Sequence, residues 1–483
     1  MSKVDFFLKQ INFKLKDKPL FYICNDPERA LGLEALLKNY HIVCVDDSDL
    51  FTYIKLQIGN IFSLENHVGQ KNALFRSSAK LLEEESVAEY INNNSKQNER
   101  FFQTFKISSR FQKLAERYNA TLLNTTSQLN KSFENKLRQY RLLKQYEVNF
   151  PPTLISKLKE LDYQTLADKL GNSLVIQFDR GHTGTGTVFI NSIDEFKSIQ
   201  QKFPDREARV ASRVEGFSYT VNAAVSRNGI YVAGLSYQIT GVPELTHLEG
   251  GTVGNDFSCR QGISSKLKQQ IIEEVTKVGF AMKEAGYKGL FGVDLIVSSD
   301  QVYIIEVNAR QPASVPFHAK LQLRQDEVPL SIIHIMEFMD LIYDIDPIEY
   351  CNKGLEPVSA GQLFLRNVTP ERFIVNGKIK TGVYRLQSDN SALIFKEHGT
   401  EVKANTIFLD EEKDKPLIFQ KEGYSIDSIE DGGFLIASQL QGKQVNQGNE
   451  IARIQALQSL VGKDGKPFPW AIEALQAIYE YLR

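Results

Sequence analysis

Residues 292–310, GVDLIVSSDQVYIIEVNAR, constrain this chain more than any other stretch. Two short apolar runs, 290–297 and 302–307, flank the polar turn Ser298-Ser299-Asp300, a pattern that predicts a β-hairpin. Each run is broken by one acid, Asp294 in the first and Glu306 in the second. Folding about the turn places position 294 nearly opposite 305 and 306, so the two carboxylates meet across the pair. Asn308, two residues beyond Glu306, points to the same face. Two carboxylates and an amide oxygen are hard ligands of the kind that suits Mg²⁺ (or Mn²⁺) carried in with nucleotide phosphates. A charge inside an apolar strand is costly unless it is paired or bound to metal. The pattern alone leaves two readings open, a metal site or two solvent-facing acids on an edge hairpin.

At 483 residues the chain exceeds one ordinary core and predicts about two to four domains. A net charge of −2 gives no basic excess for nucleic acid, so no nucleic-acid partner is expected. The four cysteines (Cys24, Cys44, Cys259 and Cys351) are scattered without a CxxC pair, which argues against a disulfide framework or a zinc site and fits a reducing cytosol. The charged start MSKVDFFLKQINFKLKDK does not read as a signal peptide, and no run of about 18 apolar residues offers a membrane span. A soluble, cytoplasmic protein without membrane association is the expectation.

Residues 19–47 read as strand PLFYIC, helix PERALGLEALLKNY and strand HIVCVDD, the opening of a doubly wound α/β domain. The loop Asn25-Asp26-Pro27 lacks a dinucleotide glycine fingerprint. Residues 70–150 are polar, and the apolar spacing through 101–118 predicts helices on this first domain. Asn149-Phe150-Pro151-Pro152 is a break. Strands are expected at 174–178, 187–190, 208–214, 219–225 and 230–239, and a helix at 264–285. Beyond about residue 350, short strands alternate with turn signals at Asn376-Gly377, Asp389-Asn390 and Asp431-Gly432-Gly433, and a last helix spans about 470–481.

Gly181-His182-Thr183-Gly184-Thr185-Gly186-Thr187 joins two strands, without the Gly-Lys-Ser/Thr ending of a P-loop and without a following helix. It reads either as an ordinary Gly-rich hairpin tip or as a tip whose amides and hydroxyls close over phosphates.

The strand–GHTGTGT–strand hairpin, the segment SRVEGFSYTV and the pair GVDLIV and VYIIEVNAR, in that order, resemble the ATP-grasp superfamily over roughly residues 115–340. The resemblance implies an α/β (α+β) chain: an N-terminal doubly wound domain over 1–115, a bipartite nucleotide-binding module over 116–345 and a β-rich domain with a terminal helix over 346–483. It implies that Asp294 and Glu306 bridge metal with Asn308 beside them, and that Arg310 steadies the transferred phosphate or acyl phosphate. Lys136, in Phe133-Glu134-Asn135-Lys136, is similar to the lysine that reaches ATP phosphates. Gly181, Thr183, Gly184, Thr185 and Gly186 look like the loop covering those phosphates. Residues 211–216 resemble the hinge beside adenine, with Arg213, Val214 and Glu215 in it. ATP and Mg²⁺ are the implied cofactors, and a small carboxylate and an amine the implied substrates. A homodimer is the commonest symmetric assembly to expect.

Two departures stand out. Gln177 occupies the strand position where relatives commonly carry a lysine, and Ala211 and Ser212 replace an acid pair in the hinge. Either ATP is held with one fewer cation, or Arg180 or Arg213 compensates; a nucleotide-binding regulator without turnover is the alternative. The C-terminal segment loosely resembles that of carboxylase-like members, without a biotin-attachment Met-Lys-Met, so a biotin carboxylase-type enzyme is the runner-up to an amino-acid or peptide ligase. The stretch 249–256 reads as a loop whose Asn255 or Asp256 contacts substrate or simply faces solvent, and His318 as a substrate contact or a structural residue.

Overall fold

The computed structural model describes residues 2–71, 75–95, 99–179, 186–375, 379–386, 417–430, 432–438 and 442–482. Gly181, Thr183, Gly184 and Thr185, Arg180, and the expected turn residues Asn376, Gly377, Asp389, Asn390 and Asp431 lie outside them.

The first sheet contains β1 (Leu20–Cys24), β2 (Tyr40–Cys44), β3 (Ile61–Ser63), β4 (Arg100–Thr104) and β5 (Ala120–Leu122), ordered β3-β2-β1-β4-β5. All of its pairs are parallel, as a doubly wound domain requires. Strand alternation splits β1 between two cores: Leu20, Tyr22 and Cys24 pack on one face, Phe21 and Ile23 on the other.

Two expectations for this region are corrected. The helix read from PERALGLEALLKNY is only a 3₁₀ turn at Pro27–Ala30 followed by irregular chain. Gly32 sits at φ +116°, where a side chain would press on Ala319 and the Pro316 carbonyl. Ala30, Leu33 and Leu37 bury against the same core as Val315, so tertiary packing overrides the helical spacing. The second correction is β4, a strand where helix was expected from residue 101. Phe101 and Phe102 serve opposite faces of the sheet, and the helix begins only at Ser109–Arg117, capped by Ser108.

A four-stranded antiparallel sheet follows, β6 (Thr153–Lys157), β7 (Leu174–Phe178), β8 (Thr187–Ile190) and β9 (Glu207–Ser212), in the order β6-β9-β7-β8. Helices Tyr163–Leu170 and Ile193–Lys202 cover one face through Leu166 and Phe196. The other face is left to the cleft described below. β9 ends at Ser212, two residues before the expected strand end.

The third sheet begins with β10 (Phe217–Val225), β11 (Ile230–Thr240), β12 (Thr252–Asp256), β13 (Gly289–Val297) and β14 (Val302–Asn308). It continues through β15 (Gly361–Arg366), β17 (Gly382–Leu386), β18 (Leu417–Glu422), β19 (Phe434–Ser438) and β21 (Glu450–Ala456). The order is β14-β13-β10-β11-β12-β15-β21-β19-β17-β18. β16 (Phe373–Ile374) and β20 (Gln444–Val445) form a separate pair. The segment 252–256, read as loop, is therefore a central strand, and its pairing with β15 joins the two halves of one sheet. Helix Ser265–Glu284, capped by Ser264, covers β10 and β11 through Ile271, Val275 and Val278. The last helix, Pro469–Leu482, packs Ala474, Leu475 and Ile478 on the distal half. Among the described residues no helix is long and apolar enough to cross a membrane.

Candidate functional site

The hairpin register pairs Asp294 with Glu306 and Gly292 with Asn308, with a bulge between Asp294 and Leu295. A bulge re-aims side chains locally, and here both acids line one cleft. Asp294 accepts hydrogen bonds from Thr220 Oγ1 at 2.8 Å and Asn308 Nδ2 at 3.0 Å. Burial, reinforced by the neighbouring Glu306 charge, pushes the Asp294 carboxyl up to about 6.

Lys136 is the first residue of helix Lys136–Leu143, and Asn135 caps that helix by accepting from Arg138 N. Three residues on, Gln139 locks the helix to β14: its Oε1 accepts from Val307 N at 3.0 Å and its Nε2 donates to Val307 O at 3.1 Å. Lys136 is thereby buried with its Nζ 2.7 Å from Glu306 Oε2. Arg310 and Lys106 both pair with Glu134, the last residue of the preceding helix Ser127–Glu134. Burial alone would raise the Glu134 carboxyl; Arg310 and then Lys106 overcome this and hold it below the usual carboxylate range.

The cleft, about 720 Å³, opens between these residues and the uncovered face of the four-stranded sheet. That volume falls within the usual range for a small-molecule site. Register places Gln177 opposite Arg209 and Val175 opposite Ala211, and all four side chains line the cleft. Gln177 Nε2 is 3.4 Å from Thr187 Oγ1. Arg209 is 1% exposed, donates Nη1 to Ile305 O at 3.0 Å, and lies against the Tyr140 and Phe150 rings, which pack on each other edge to face. Burial brings it down to about 10, so it stays protonated at neutral pH.

At the hinge, Val214 lines the cleft while Arg213 sits on the rim, over the Phe189 ring and 3.4 Å from Glu249. Glu215 is exposed and does not line the cleft. A side chain at Gly216 would strike the Val297 carbonyl, which fixes the close approach of hinge and hairpin. Gly186 is buried, and its carbonyl accepts from Phe178 N at 3.1 Å.

The other end of the cleft draws on the first and last parts of the chain. Arg29 reaches it from the 3₁₀ turn, and Arg366 and Glu450 from β15 and β21. Arg29 Nη1 is buried without a partner among the described residues. Burial eases Arg366 toward deprotonation; Glu450 opposes this, while Arg453 and Arg29 add to it. Arg453 itself is held between Glu28 and Glu450.

Asn255 lines the cleft and donates to Ser236 Oγ at 3.1 Å. Asp256 does not line it: its carboxylate accepts from Leu460 N at 2.6 Å, Ser459 Oγ at 2.9 Å and Ser258 N at 2.9 Å. His318 is buried and stacked on Phe257 with an interplanar angle of 10°, and burial drives it down to about 3. Its imidazole is neutral and packs as a structural residue.

Spacing alone missed Arg209, Glu134, Arg29 and Arg366. The readable signal for Arg209 was one charge inside the apolar run ARVA; for Glu134, its place two residues before Lys136. Among the described residues no cluster of three or more His, Cys, Asp or Glu could hold a metal unaided. Two carboxylates and an amide suit an ion whose remaining ligands are phosphate oxygens and water, the usual habit of Mg²⁺.

A helix-covered antiparallel sheet thus faces a second sheet across a cleft, with an acid pair on one strand hairpin. Residues 133–314 match the family model described as ATP-grasp domain, so this part of the chain is an ATP-grasp domain. Solved structures share the protein's fold. It resembles carboxyaminoimidazole ribonucleotide synthase from Aspergillus clavatus, complexed with ATP, with TM-score 0.54 and 12% identity over 97% of this chain and 99% of that one. Biotin carboxylase from Campylobacter jejuni matches with TM-score 0.56 and 10% identity over 92% and 88%. Phosphoribosylamine–glycine ligase from Thermotoga maritima matches with TM-score 0.51 and 13% identity over 96% and 96%. At these identities the likeness is one of fold.

Proposed function

We propose that the protein uses MgATP to activate a carboxylate and joins it to an amine, releasing ADP and phosphate. The observation that carries this reading is the facing pair Asp294 and Glu306, with Asn308 hydrogen-bonded to Asp294 and Lys136 against Glu306, inside a cleft of about 720 Å³. Asp294 and Glu306 would hold Mg²⁺, which when bound neutralises charge developing on the phosphates. Lys136 and Arg310 face the reacting phosphoryl group as fixed cations. Arg29 and Arg366, with Arg29 Nη1 lacking a partner among the described residues, favour an anion at the far end and so a carboxylate substrate.

The substrate carboxylate oxygen attacks the γ-phosphorus as the bond to ADP breaks. The amine nitrogen then attacks the acyl carbon, phosphate leaves with the transferred oxygen, and the amine proton passes to phosphate or water. No side-chain nucleophile is needed; positioning and electrostatics carry the rate. The reading fits a cytoplasmic enzyme acting on small molecules.

Incubating the protein with MgATP and a panel of carboxylates and amines, and measuring ADP and phosphate, tests it. Amine-dependent phosphate release is the expected result. Bicarbonate and biotin dependence would point to a carboxylase instead, and tight binding without turnover to the nucleotide-binding regulator that the neutral Gln177 favours.

A further inference from the structure

The acid-side wall of the cleft carries four cations, and they are not equivalent. Lys136 is paired with Glu306, and Arg310 and Lys106 with Glu134. Arg209 has no acid partner among the described residues: Nη1 donates to the Ile305 carbonyl, the Tyr140 and Phe150 rings lie 5.3 and 5.0 Å from the guanidinium, and Nε is buried with nothing to bond. An almost fully buried guanidinium without a carboxylate is unfavourable, and cation–π contacts recover only about 1–2 kcal/mol each. A purely structural strut between β9 and β14 would use the Ile305 contact and leave no reason for Arg209 to line the cleft. Directly across the sheet from Arg209, β7 presents a neutral amide, Gln177, on the strand that leads toward residues 181–187.

We propose that Arg209 is a binding residue for the nucleotide's phosphate chain, and that its guanidinium supplies from β9 the positive charge that Gln177 does not supply from β7. The planar fork and permanent charge of arginine suit phosphate oxygens. The Tyr140 and Phe150 rings hold the guanidinium in place before the ligand arrives, so little rotamer entropy is lost on binding. This inference rests on the MgATP reading above and goes beyond it by locating the charge.

The test compares wild type, Arg209→Gln, Arg209→Lys and the swap Gln177→Lys/Arg209→Gln. Calorimetric titration with MgATP, MgADP and adenosine is paired with thermal unfolding. Arg209→Gln is expected to weaken MgATP and MgADP by about ten- to hundredfold, the scale of a charged hydrogen bond, while adenosine changes less than about twofold. The swap is expected to recover much of the loss, because register puts the new ammonium on the facing strand. If Arg209→Gln does not fold, Arg209→Lys and the swap carry the same comparison. Unchanged MgATP affinity, or equal weakening of all three ligands alongside a lower melting temperature, would overturn the proposal in favour of a strut. A swap no better than Arg209→Gln would overturn it too, since charge would then not be what matters. Wild type that binds neither MgATP nor adenosine would instead sink the nucleotide reading, and this inference with it.

Discussion

The Lys136 ammonium stands 2.7 Å from a Glu306 carboxylate oxygen, with the lysine side chain 6% exposed and the glutamate 25%. The acid therefore meets a fixed buried cation on one side and the open cleft on the other. A metal held by Glu306 would have to reach it from the cleft, with Lys136 keeping the carboxylate aimed.

Glu306→Gln leaves that lysine buried with a neutral partner. The expected outcome is a loss of about 2 kcal/mol in urea unfolding, together with a fall in turnover of at least about a hundredfold. Adding Lys136→Met should restore part of the stability and none of the activity. Turnover unchanged in Glu306→Gln would refute the metal assignment.

The Asp294 carboxyl, raised to about 6, makes a signed pH prediction. In the folded protein it holds its proton above the unfolded value of about 3.9, so between about pH 4 and 6 the native state binds more protons. Its contribution to stability is fully present below that window and is lost as pH rises through 6. Metal affinity runs the other way, because the ligand must be ionised. Asp294→Asn should flatten the stability slope between pH 4 and 6 and abolish the Mg²⁺ dependence of nucleotide binding. Unfolding curves and Mg²⁺ titrations at pH 5 and pH 8 measure both.

Glu134 acts through Arg310 and Lys106, which it holds together. Glu134→Gln should lower kcat by about tenfold or more by loosening Arg310, with a smaller effect on the KM for ATP. Because the Glu134 carboxyl is depressed, its stabilisation is present above about pH 4 and disappears as pH falls below the usual carboxylate range. Acid unfolding of wild type against Glu134→Gln checks that sign.

Asp256 is predicted to stabilise the fold without contacting nucleotide. Its carboxylate accepts from Leu460 N, Ser459 and Ser258, tying β12 to the chain after β21. Asp256→Ala strands those donors and should cost about 2–4 kcal/mol. Folded Asp256→Ala protein should bind MgATP within about twofold of wild type. A loss as large as that of Glu306→Gln would instead place Asp256 in the site.

How much of this was legible depended on whether the signal was local. The hairpin could be read because strand alternation and turn chemistry act over a few residues, and the register that pairs Asp294 with Glu306 follows from the turn. Helix Ser265–Glu284 was legible for the same reason, through its repeating apolar stripe. The segment Pro27–Asn39 was not. Its helical spacing lost to Gly32 and to the surface of helix Val315–Arg324, which lies nearly 300 residues away in sequence. Phe101 and Phe102 misled likewise, because a parallel strand buried on both faces has no alternation to read.

The candidate site divides along the same line. Sequence by itself determined which acids share a hairpin, since adjacency along the chain dictates it. Only the tertiary structure decided which carboxylate Lys136 meets, that Glu134 holds Arg310, that Asp256 faces the C-terminal segment rather than the cleft, and that Arg209 stands opposite Gln177. Those pairings join strands and helices far apart in the chain. Their partners are chosen by burial and by the need to satisfy each buried charge, and neither condition exists until the sheets have packed.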